Sequence, residues 1–94
     1  MEDIILANQQ LNKWCGTKGI NYYEGDTALG FLFEYAVPKI QEADYEITMI
    51  YDPFSKLWNV VLFATRPQFL DFKSEDKELK NALFQALSQV REVM

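Results

Sequence analysis

Five acids crowd the middle of the chain: Glu24 and Asp26, then Glu42, Asp44 and Glu46. Carboxylates so placed have three uses. They can coordinate a divalent cation, work as an acid/base pair, or present a negative surface to a basic partner. A calcium loop needs several oxygen ligands at set intervals and a glycine for the turn, and no D-x-[DN]-x-[DN]-G run is present. An acid/base pair needs a cleft and shifted pKa values. What remains is a solvated acidic face, which makes Glu24, Asp26, Glu42, Asp44 and Glu46 the candidate partner surface. Cys15 is the one thiol. A nucleophilic thiol needs a helix N-terminus or a nearby base. Cys15 falls at the end of a helix pattern and the chain has no histidine, so it reads as a small buried apolar residue. Gly16-Thr17-Lys18-Gly19 has the composition of a phosphate loop, but it follows a helix pattern rather than a strand, so it reads as a connector. Tyr22 and Tyr23 offer rings for stacking. In a small domain such neighbours are expected to send one ring to the core and one to its rim. No catalytic, metal-binding or cofactor-binding residue is expected, and no cofactor.

These residues are positioned by a short list of elements. The stretch Tyr45 to Ala64 carries the clearest β-hairpin pattern. Tyr45, Ile47, Met49 and Tyr51 alternate with Glu46, Thr48, Ile50 and Asp52, the period of a strand with one buried face. Asp52-Pro53-Phe54-Ser55-Lys56 breaks it with turn residues. Leu57 to Ala64 is apolar on both faces apart from Asn59, which predicts helix on each side or an edge closed by a partner chain. Residues 2–15 read as a first helix, with Ile4, Ala7, Leu11, Trp14 and Cys15 on one face and Asn8, Gln9, Asn12 and Lys13 on the other. Glu2 and Asp3 suit its first turn, and Gly16 its end. Ile20 to Tyr23 is either a third, edge strand or an ordered loop. Asp26 or Thr27 is expected to cap a second helix over 27–42. Phe31, Phe33 and Tyr35 alternate as in a strand, but Gly30 and the Asp-Thr start favour helix. Pro38 either kinks that helix or starts a new turn. Arg66 to Lys73, with Pro67 inside it, reads as a connector whose Phe69 and Phe72 tuck under the sheet edge. Ser74 is expected to cap a last helix over 75–93, striped by Leu79, Ala82, Leu83, Ala86, Leu87, Val90 and Val93. Phe84 lies off the stripe, at the core rim or in a subunit contact. The fold class is thus α+β. One domain (1–94) holds a small antiparallel sheet built on one β-hairpin (45–64), flanked by helices (2–15, 27–42, 75–93), in α-α-β-β-α order.

Composition narrows the function. At 94 residues and 49% hydrophobic content, the chain can build one core without metals or crosslinks. A single cysteine fits a reducing compartment. No signal peptide or membrane span is visible, so a cytoplasmic protein is expected, with no membrane partner. Net charge is −5, and it is uneven: residues 1–53 carry nine acids and three bases. That excludes general nucleic-acid binding, which rests on neutralising phosphates. No internal repeat or low-complexity tract appears.

Four stretches carry a resemblance: Leu11-Asn12-Lys13-Trp14, Asp26-Thr27-Ala28, the strand containing Trp58, and Ala82-Leu83-Phe84-Gln85-Ala86-Leu87. With the order helix, helix, hairpin, helix, the chain resembles the phage ABA sandwich domain, a family of small phage and prophage proteins. The resemblance implies a helix–sheet–helix sandwich and a phage or bacterial origin, and supplies no catalytic residue. The function expected is a small non-enzymatic interaction or accessory protein. It would bind a protein partner or a second copy, as an exposed sheet edge invites. The alternative is an acidic inhibitor that occupies a basic or nucleic-acid-binding site on another protein.

Overall fold

The period-two alternation from Tyr45 builds strand β1 (Tyr45–Asp52), and the turn chemistry of the next four residues returns the chain as β2 (Leu57–Ala64). This is a computed structural model that describes residues 4–66 and 70–93. The two arms pair antiparallel from Tyr45 opposite Ala64 to Asp52 opposite Leu57. Asp52 sets the turn, its carboxylate accepting from the Phe54 N–H at 2.9 Å. That bond holds its pKa below the usual carboxylate range. Lys56 closes the loop in the left-handed region, at φ 59°.

A third strand, β3 (Phe72–Asp76), pairs antiparallel with β2 and gives the order β1-β2-β3. This corrects two expectations. Phe72 and Lys73 belong to a strand rather than a connector, and Ser74 is not a helix cap. Its hydroxyl donates to the Ala82 carbonyl, tying β3 to the helix beneath. The last helix accordingly starts later than residue 75, as α4 (Leu79–Val93). Asp76 prepares its start by accepting from the Glu78 N–H at 3.0 Å.

The first helix, α1 (Ile4–Cys15), stops at Gly16, whose φ of 72° is open to glycine without strain. Gly16 N–H reaches the Lys13 carbonyl and Thr17 N–H the Asn12 carbonyl, the paired bonds of a Schellman end. Ile20 to Tyr23 is loop, not a third strand. The second helical rod runs through Pro38 in three parts: α2 (Ala28–Phe31), a π turn (Leu32–Ala36) and α3 (Val37–Glu42). Inside a regular helix the proline ring clashes with the carbonyl four residues back. Here the wider turn just before it, with the Val37 N–H reaching five residues back to the Leu32 carbonyl, accommodates the ring without breaking the rod. Thr27 occupies the cap position, but its side chain makes no capping bond.

All helices share one face of the sheet. Tyr45, Val60 and Leu62 from that face, Leu32, Ala36 and Ile40 from the second rod, Ala7 and Leu11 from α1, and Leu83, Leu87 and Val90 from α4 form a single buried core. Among the described residues no helix covers the other face. Ile50 is 56% and Phe63 42% exposed there. The layering is therefore sheet on helices, not helix–sheet–helix, and the apolar second face of β2 is open. Phe84 is buried, its ring 5.9 Å from that of Tyr23. Glu2, Asp3 and Pro67 to Phe69, together with the side chains of Glu92 and Val93, lie outside the described residues.

Candidate functional site

The five acids do not form one patch. Glu24 and Asp26 precede the second helical rod, Glu42 is its last residue, and Asp44 and Glu46 follow it. Fifteen residues at about 1.5 Å each put the groups roughly 20 Å apart. Two of the three acids in the second group are already engaged. Glu42 lies 3.9 Å from the Lys39 ammonium, and Asp44 lies 2.8 Å from the Arg66 guanidinium. Asp44 also turns the chain from α3 into β1. It sits at φ 66°, and its carbonyl accepts from both the N–H and the hydroxyl of Thr65. A short polar side chain tolerates this conformation better than most. Glu46 points to the open face of the sheet, and among the described residues no ion pair engages it.

Cys15 is half-buried, and burial pushes its thiol up from the ordinary value, against nucleophilic use. The Gly16–Gly19 loop presents no phosphate cradle, because Thr17 turns its hydroxyl inward to Asn12 and Tyr22, each at 2.8 Å. The tyrosine pair divides as expected: Tyr22 is fully buried and Tyr23 sits at the rim. Burial pushes the Tyr22 phenol up to about 12. Among the described residues no three of His, Cys, Asp and Glu come together to hold a metal ion, and no helix is long and apolar enough to cross a membrane.

What sequence reading missed is the state of the main chain at the two edges of the sheet. The Thr65 N–H donates to the Asp44 carbonyl in register with the β1–β2 ladder. Bonded pairs then recur every second residue, at Glu46–Phe63, Thr48–Val61 and Ile50–Asn59. The N–H and C=O groups of Ile47 and Met49 must point the other way, off the free edge of β1. No described group bonds them. Beside that edge runs a groove of about 600 Å³. Phe33 and Val37 from the second rod and Ile47 and Met49 from β1 form its apolar walls, while Gln41, Asp44, Glu46 and Thr65 form the polar end. The π turn belongs to this arrangement: within it Leu32 and Ala36 are buried while Phe33 is exposed towards the groove.

A second groove, of about 550 Å³, separates α1 from α4. Its amide side chains are occupied within the protein. Asn81 and Gln85 bond Asp76, and Gln89 bonds the Lys73 carbonyl. Of the two, the β1 groove is the one that sets apolar walls beside main-chain groups, those of Ile47 and Met49, with no partner among the described residues.

No protein-family model matches the chain, and neither does a curated protein or a solved structure. Its function is therefore argued from this geometry.

Proposed function

We propose that the chain is a non-enzymatic interaction module that takes an extended peptide segment as a fourth strand along β1. The observation that carries this reading is the unbonded main chain of Ile47 and Met49 beside an apolar groove. A strand added there gains main-chain hydrogen bonds, and its alternate side chains enter the space between Phe33, Val37 and Met49. Glu46 at the groove's polar end favours a basic residue at the matching position of the guest. The partner is thus a protein segment in β conformation, apolar and basic by turns, rather than a nucleic acid or a membrane. A single half-buried thiol suits a cytoplasmic, reducing setting.

The alternative of an acidic inhibitor rests on Glu42, Asp44 and Glu46 alone, since Glu24 and Asp26 lie at the far end of the rod. With Glu42 and Asp44 already paired, that surface offers little free charge, and the groove reading is preferred.

Selection from a random displayed peptide library, followed by amide chemical-shift mapping, tests the proposal. Enriched peptides should alternate apolar and basic residues and should shift and protect the Ile47 and Met49 amides. Glu46→Lys should weaken them severalfold. Peptides that bind but leave β1 unchanged, or a library that yields no binder, would overturn the reading. Binding abolished by salt with no change at Ile47 would favour the inhibitor instead.

A further inference from the structure

We infer that the opposite edge of the sheet, β3, joins a second copy of this chain, making a six-stranded sheet across a twofold axis at Ser74. The inference stands on a different strand from the peptide groove, so either can fail without the other.

The direction of the main chain comes first. Phe63, Val61 and Asn59 turn their main chain towards β1, so Leu62, Val60 and Trp58 turn theirs towards β3. Their partners there are Phe72, Ser74 and Asp76. Lys73 and Glu75, between them, point their N–H and C=O groups off the edge. The structure supports this directly. The Lys73 carbonyl accepts from the Gln89 side chain at 3.2 Å, a bond that a strand outside β3 would replace with a main-chain one. No described group meets the N–H of Lys73 or either main-chain group of Glu75.

Charge then chooses the register. Only pairings that set Lys73 and Glu75 opposite residues of the same main-chain direction can form bonds. With the axis at Ser74, Lys73 faces Glu75 of the second copy and Glu75 faces its Lys73, so two opposite-charge pairs form across two bonded positions. Moving the axis one residue either way sets Lys73 against Lys73, or Glu75 against Glu75. Like charges directly opposite are destabilising, and opposite charges stabilise. Both side chains are exposed on the open face of the sheet, free to meet their counterparts. Charged residues on an edge strand ordinarily keep copies apart. Here their alternation in sign, read through a twofold axis, does the reverse for one register. On the helix side, Gln85 and Gln89 of α4 reach β3, bonding Asp76 and the Lys73 carbonyl, and both are polar and uncharged. An interface of this kind is isologous and closed, and stops at two copies.

The β1 edge offers no such selection. Its only outer-face acids are Glu46 and Asp52, and it has no base to answer them.

Sedimentation equilibrium of the whole chain, from micromolar to millimolar concentration, tests the inference together with charge-swap variants. Wild type should dimerise within that range. Lys73→Glu should weaken the dimer about tenfold or more, because it sets acid against acid at both positions. The double swap K73E/E75K should restore it, because the pairs reform with signs exchanged. Positions 73 and 75 are exposed, so the fold is retained, and circular dichroism checks that. Amides of Lys73 and Glu75 should gain protection as concentration rises. A monomer at every concentration would overturn the inference. So would a dimer that ignores Lys73→Glu, or one that the double swap fails to restore.

Discussion

Ile20 and Tyr22 lie in a loop, yet their main chain is held as firmly as in a sheet. Asn12 accepts from the Ile20 N–H at 3.1 Å and donates to the Ile20 carbonyl at 2.8 Å, so its amide serves as the neighbouring strand. Asn8 does the same one step on, donating to the Ile20 carbonyl and accepting from the Tyr22 N–H, both at 2.9 Å. Ile47 and Met49 lie in a regular strand, yet their main-chain groups meet no partner among the described residues. Secondary structure alone therefore does not say where this molecule is closed. The α1 corner uses side chains to complete a loop, which marks it as structural. The β1 edge leaves a strand incomplete, which marks it as a place for something else to bind.

Hydrogen exchange is the widest test of that contrast. The amides of Ile20 and Tyr22 should exchange more slowly than those of Ile47 and Met49 by about two orders of magnitude or more. Equal rates would erase the distinction, and slow exchange at Ile47 in a dilute monomer would mean that the edge is already covered. Asn12→Ala sharpens the corner. It removes the partner of the Ile20 N–H and one of the two partners of the Thr17 hydroxyl in a half-buried site, at a cost of about 2–3 kcal/mol in urea unfolding. It should also release the Ile20 amide to exchange while leaving Met49 unchanged. A loss below about 0.5 kcal/mol would show that the loop is held by packing alone.

The smallest effect is a change of slope with pH. Tyr22 is buried beside Thr17, and its phenol is raised from the ordinary value of 10 to about 12. The fold therefore prefers the neutral phenol. Its contribution is complete below pH 10 and is lost progressively as pH rises towards 12, where the unfolded chain ionises first. Tyr22→Phe forgoes the Thr17 bond, about 1 kcal/mol, but lacks this alkaline loss. The stability gap between wild type and variant should close as pH rises above 10 and reverse in sign towards pH 12. A constant gap would mean that Tyr22 titrates as it does in the unfolded chain.

The hairpin was legible in the sequence because Tyr45 to Asp52 alternates and Asp52-Pro53 turns. The helices were legible wherever a stripe faced the core, as from Ala82 to Val90. β3 was not. Phe72-Lys73-Ser74-Glu75-Asp76 has one apolar residue, and its inward Ser74 and Asp76 bond α4 instead of entering the core, so no alternation of hydrophobicity could show. Asn8 and Asn12 fall opposite the apolar face of the helix pattern, a place where amides usually meet solvent. Their spacing of four on one helix face was the available signal, but only a loop brought alongside gives it meaning. The candidate acids failed as a group for a related reason. Asp26 and Glu42 are near in sequence, yet a straight rod keeps them apart. The groove itself had no sequence signature, because its walls come from two elements far apart in sequence and its edge is main chain, which no side-chain pattern reports.

The π turn has a further consequence, best seen as angular phase. Ala28, Leu32, Ala36 and Ile40 are all fully buried at a strict spacing of four. On an unbroken α-helix each such step overshoots a full turn by about 40°, so Ile40 would end roughly 120° around the cylinder from Ala28. One π turn takes up an extra residue, which sets the rotation back by about 100° and returns Ile40 to the same azimuth. The rod thus behaves as two α segments clocked into alignment by a single surplus residue. Deleting any one residue from 32–36 would leave the composition almost untouched and relieve the wide turn. It would also leave Ala28 and Ile40 in phase, since the surplus residue is the one removed, whereas closing the π turn to regular α geometry without a deletion would swing one end of the rod by about 100° against the other, and the wall of the β1 groove with it.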